Sequence, residues 1–143
     1  MKKSIVLALA ILAASCQQDK EKFNKAEKEV FAIHDEVMPK MDQIVKLRSE
    51  VSKEITTLDS LLNLKNDEPL QQRKATALEI SSLLLKADEG MMGWMRAYNR
   101  DSLMALPSDE ALKALEVEKT KITEVRNLML ESIEKAETFL KKD

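Results

Sequence analysis

Apolar residues recur at alternating intervals of three and four from residue 23 to residue 62, the period of a helix with one buried seam. One row is Phe23, Val30, Val37, Ile44, Val51 and Leu58; the other is Glu27, His34, Met41, Arg48, Ile55 and Leu62. The same period returns further along. Leu115, Ile122, Met129 and Ala136 form one row there, and Ala111, Glu118, Val125, Ser132 and Phe139 the other. Leu112, Leu128, Ile133 and Leu140 widen that stripe beyond a two-helix seam. Between the two patterns lies a third broad face, made by Leu70, Ala77, Leu78, Leu84, Leu85, Met91, Met92 and Met95. No alternating pattern of strand length occurs.

Breaks in these patterns carry their own chemistry. Asn66-Asp67-Glu68-Pro69 reads as a turn and a helix start, since Asp caps and proline fits the first turn. Leu106-Pro107-Ser108-Asp109-Glu110 reads as a second start, with Ser108 as cap and two acids at the positive helix end. The chain therefore divides into helices over about 20–64, 69–98 and 108–141, with a loop of some nine residues before the last. Three wide stripes with short connections predict an all-α fold: an antiparallel three-helix bundle packed like a coiled coil. Pro39 lies opposite the first seam and predicts a kink in the long first helix; a true break there would give four helices.

The turn near residue 66 sets the levels. Met91 falls near position 42, Met95 near 38, Asp88 near Val45 and Tyr98 near Asp35. Residues 20–33 then overhang the second helix as a stem. Leu103, Met104 and Leu106 of the loop are expected to cover it near Phe23, Ala26 and Val30.

Composition adds an address. Lys2 and Lys3 precede an apolar run to Ala14, and small residues lead into Cys16. This is a secretory signal pattern, too short to span a membrane. Leu12-Ala13-Ala14-Ser15-Cys16 resembles a lipobox, with Ala13 where a larger aliphatic residue is usual. The alternative is an ordinary signal peptide followed by a stray cysteine. Cys16 is the sole cysteine, which excludes an intramolecular disulfide and fits acylation there. Residues 1–15 are thus expected to be a lipoprotein signal peptide, and 16–143 a single helical domain tethered to the cell envelope. The expected membrane is the outer one, on its periplasmic face or the cell surface.

A net charge of −2 and an aromatic content of 3% argue against a nucleic-acid partner. The 34% of charged residues suit the solvated faces of a monomer or weak oligomer.

Two stretches stand out: Ala32-Ile33-His34-Asp35-Glu36-Val37-Met38-Pro39-Lys40-Met41 and Ala87-Asp88-Glu89-Gly90-Met91-Met92-Gly93-Trp94-Met95. Together they resemble a group of small Bacteroidetes lipoproteins commonly labelled "viral A-type inclusion protein". The resemblance implies a lipoprotein address and a helical fold. It implies no activity, so no functional residue carries over.

The level rule brings these stretches to one end of the bundle. There His34, Met38, Met41, Met91, Met92, Trp94 and Met95 make a patch, with Met104 nearby. Thioether and imidazole donors suit Cu(I) or Ag(I), which makes a soft-metal site one reading. Packing is the plainer reading, because methionine fills irregular gaps and His34 sits on the seam. An adaptable contact surface for an envelope protein partner is the third. Met92 and Trp94 are expected to point away from the Met91 and Met95 face, leaving one of them partly accessible. Gly90 and Gly93, the only glycines, suggest close backbone approach, a break or a moving part. No enzyme is expected. His34 lacks a second histidine four residues on, and no phosphate loop or nucleophile elbow occurs.

Overall fold

The structure is a computed structural model describing the backbone of residues 2–141 and the side chains of residues 17–141. The expected acylation site, Cys16, and the signal segment before it lie outside the described side chains. The fold is all-helical, with no strand among the described residues. Helix α1 is Lys2–Val37, followed by a 3-10 turn, Met38–Lys40. Then come α2, Met41–Leu64; α3, Glu68–Ala97; a short α4, Arg100–Met104; and α5, Ser108–Leu140.

The helix ends follow from local chemistry. Proline has no N–H to give, and the turn at Met38–Lys40 closes with the Met41 amide bonded to the Met38 carbonyl. Asp67 caps α3 by accepting from the Leu70 amide, and Pro69 lies in the first turn. Ser108, expected to cap α5, is instead its first residue; Pro107 precedes it with no side-chain cap bond. Asp109 and Glu110 still sit where the helix dipole favours acids. The expected loop before α5 contains α4, because Asn99 accepts from the Ser102 amide at 2.9 Å and starts a turn.

The helices share one core. Phe23, Val30, Val37, Ile44, Val51 and Leu58 are all buried, so this row lies inward as its spacing implied. On α3 the inward row is Ala77, Ile80, Leu84, Ala87, Met91 and Trp94. This corrects the expected face. Leu78, Leu85 and Met92 are 49%, 39% and 40% exposed, and the row 80–87–94 takes their place. The two rows flank Leu84 and Met91 on opposite sides, and the seam turned toward α5.

Ordered contacts cross the core. Trp94 meets Glu118, a Cβ at Gly90 would meet Val125, and Arg73 lies over the Phe139 ring. Glu29 pairs with Lys119, Glu36 with Arg126, and Gln43 bonds to Glu137. Arg48–Asp88 at 2.7 Å, Glu54–Arg73 at 2.8 Å and Asp59–Lys74 at 2.5 Å join α2 to α3. Each is at least partly solvated and worth at most about 1 kcal/mol. Polar residues that interrupt the apolar rows also have partners: Arg48 pairs with Asp88, and buried Ser132 donates to the Met129 carbonyl at 2.9 Å. Among the described residues no buried side-chain polar atom lacks a hydrogen bond.

Candidate functional site

The Met-rich end is organised around aromatic rings. Phe31 and His34 project from α1 at i, i+3, and Trp94 and Tyr98 from the end of α3 at i, i+4. Phe31 meets Tyr98 edge-on at 5.1 Å and Trp94 edge-on at 6.0 Å. Trp94 lies tilted against Tyr98 at 5.2 Å and against His34 at 5.5 Å. Phe31 also stands edge-on to His34 at 6.0 Å. Edge-to-face and offset pairs at such distances add about 0.5–1.5 kcal/mol each beyond their buried area.

Acids hold the polar edges of these rings. The indole N–H of Trp94 donates to Glu118 Oε2 at 3.0 Å, and Lys121 donates to the other oxygen of Glu118 at 2.7 Å. The Tyr98 hydroxyl donates to Glu27 Oε1 at 2.9 Å. Arg100 donates to Glu27 Oε2 at 2.9 Å. Burial, and then the bond to Glu27, push the Tyr98 phenol well above its ordinary range, since the phenolate would face a carboxylate in a poorly solvated place. His34 Nδ1 lies 2.9 Å from Asp35 Oδ1.

The predicted patch residues separate under this geometry. Met91 is fully enclosed. Met38, Met41 and Met95 are partly buried against the core. Met92 faces outward on the exposed row, away from Met91. Trp94 is only 6% exposed, which overturns the expectation that it points away from Met91. It stands one turn beyond Met91 on the inward row. Tyr98 reaches Glu27 and Phe31, not the Asp35 level; it stands just past the end of α3, in extended backbone.

Neither glycine marks a break, since α3 runs through both. A Cβ at Gly90 would meet Val125 Cγ2 at 3.5 Å, an ordinary contact, and one at Gly93 would meet nothing within 4 Å.

Phe31, Tyr98, Glu27, Glu118 and Arg100 are the members of this site that the sequence reading missed. A signal for two of them was present: Glu27 and Glu118 interrupt otherwise apolar rows, where an acid needs a donor opposite. Among the described residues no group of three or more His, Cys, Asp and Glu side chains gathers at one place where it could hold a metal ion. The arrangement is a clamp of rings and charge-assisted hydrogen bonds that joins α1, α3, α4 and α5.

Comparison with known proteins finds no matching family model, no matching curated protein and no matching solved structure.

Proposed function

We propose that this chain is a lipid-anchored module of the cell envelope, a structural or protein-interaction element with no catalytic role. In this reading residues 1–15 are removed, Cys16 is acylated, and residues 16–143 form an antiparallel three-helix bundle bent at Pro39. Contacts between α3 and α5 support the antiparallel order, because partners on α5 rise from Glu118 to Phe139 as those on α3 fall from Trp94 to Arg73. Contacts of α1 and α2 with α5 rise together, from Glu29–Lys119 to Gln43–Glu137. The missing proline donor and the 3-10 turn at Met38–Lys40 support the bend.

The observation that carries the interaction role is the outer row of α3. Leu78, Leu85 and Met92, seven residues apart, leave an apolar stripe in solvent while the polar groups of the core are all engaged. Apolar side chains in helical register on a solvated face suit the docking of a partner helix. The Met/His/Trp patch is mostly packing in this reading, and Met92 is the part that reaches the contact surface.

One experiment tests anchor and contact together. The chain is expressed in its native membrane with a photo-reactive analogue at Leu85 and a fatty-acid probe. Labelled chain and a defined protein adduct are expected, and Cys16→Ala is expected to abolish both the label and membrane retention. Undiminished labelling in Cys16→Ala would overturn the anchor. Absence of an adduct in the lipidated chain would overturn the contact role.

A further inference from the structure

The end of the domain nearest Cys16 leaves apolar side chains in solvent. Helix α4 and the residues after it lay Met104 and Leu106 against the stem, and these two remain 42% and 39% exposed. With Asp19, Lys20, Phe23 and Ala111 they line a cleft of about 250 Å³. The tip is pinned in place. Arg100 donates to Asn24 Oδ1 at 2.9 Å, to Glu27 Oε2 at 2.9 Å and to Met104 Sδ at 2.8 Å. Its guanidinium also lies 5.5 Å from the Phe23 ring centroid.

We propose that this tip, Leu103 to Leu106, is a lipid-contact surface that rests in the interfacial layer of the bilayer and sets the tilt of the bundle. The proposal rests on acylation at Cys16. The cleft residues Asp19, Lys20 and Phe23 follow Cys16 by three to seven positions, about 4–10 Å at the helical rise of 1.5 Å per residue. Interfacial apolar elements bury themselves about 5–10 Å into the boundary of headgroups and acyl chains. A cysteine held at that boundary by its acyl chains therefore keeps Met104 and Leu106 within about 10 Å of it, inside the reach of the interfacial layer.

The surrounding charges choose the kind of contact. Lys20 and Arg100 are balanced by Asp19 and Asp101, so the tip has no basic excess to draw it to anionic lipid. The contact is apolar. It orients a protein already tethered and does not recruit one from solution. At the other end, Leu64 is 85% exposed, and it lies about 65 Å along the rod from the cleft at the helical rise.

The test uses the lipidated full chain in phosphatidylcholine vesicles. Acylation consumes the only native thiol, so Met104→Cys, Leu106→Cys and Leu64→Cys each offer a single labelling position for a fluorophore. Nitroxide lipids are expected to quench probes at 104 and 106 several-fold more than a probe at 64, and an aqueous quencher is expected to give the reverse order. Probes at 104 and 106 that stay fully aqueous, in protein that floats with the vesicles, would overturn the tip contact and leave the anchor standing. Equal lipid quenching at 64 would mean a bundle lying flat and would also overturn it. Shielding at 104 from both quenchers, with crosslinks between chains, would assign the tip to a second copy instead. Protein that fails to float with the vesicles would overturn the anchor and the tip contact together.

Discussion

Tyr98 is the residue whose ionisation folding alters most clearly. Its phenol is raised above the ordinary 10.0, first by burial and then by the Glu27 carboxylate that accepts its hydrogen bond. A raised acid holds its proton longer when folded. The stability it contributes is full below pH 10.0 and is lost as pH climbs through the raised folded value. Tyr98 is the only tyrosine, so tyrosinate absorbance reports this site alone. The folded chain is expected to develop that absorbance at higher pH than the urea-unfolded chain. Tyr98→Phe is expected to cost about 1 kcal/mol at neutral pH, the scale of one hydrogen bond. The difference between native and variant should shrink as pH rises above 10.0. An ordinary phenol titration in the folded chain would refute the bond to Glu27. Trp94 teaches a related lesson. Its donor is satisfied inside the molecule by Glu118, which is how a tryptophan can be buried at a bundle end without loss.

At the scale of the helix, rows were legible and faces were less so. The spacing of Phe23, Val30, Val37, Ile44, Val51 and Leu58 identified a buried row because every member is large and apolar. On α3, large residues sit on both sides of the central row. Leu78, Leu85 and Met92 compete with Ile80, Ala87 and Trp94, and hydrophobic weight alone favours the wrong set. Small Ala87 is fully buried, and small residues in a seam leave little trace in a hydropathy pattern. Helix α4 was hidden for another reason: its five residues are too few to show a period, and Asn99 as cap was the only local sign. The glycines were read as marks of crowding or motion. The space around Gly93 instead leaves room for a side chain, and Val125 stands at ordinary contact distance from a Cβ at Gly90. Gly93→Ala is therefore expected to stabilise the fold by up to about 1 kcal/mol, the helix propensity difference. Gly90→Ala should gain about as much. Urea unfolding checks both, and a loss of stability in Gly93→Ala would mean that α3 is not a continuous helix there.

For the whole molecule, the core thins from the end that holds Phe23 and Trp94 to the turn between α2 and α3. Rings, two acids and Arg100 clamp α1, α3, α4 and α5 around residues 23–37, 91–100 and 111–122. Past Phe139, where Arg73 covers the last ring of α5, the tips of α2 and α3 pack mainly on each other among the described residues. No residue between Leu58 and Ala77 is buried, and Leu61 and Leu64 are 42% and 85% exposed. The bonds that hold this tip together are surface ion pairs such as Lys74–Asp59, which add little. A helical pair with so little buried apolar area opens at a free energy far below that of global unfolding. Amide hydrogen exchange should resolve this. Amides over 59–76 are expected to exchange fastest among the helical ones, and those near Val30, Val37, Met91, Trp94 and Ile122 slowest. Because the clamp ties four helices to one another, the slow set should share one opening free energy, equal to that from urea unfolding followed by Trp94 fluorescence. Raising pH above 10.0, where the Tyr98 bond to Glu27 weakens, should lower protection in the slow set before it changes the hairpin tip. Equal protection at both ends would show that the apparent thinning of the core has no energetic weight, and that the molecule opens as one unit from turn to stem.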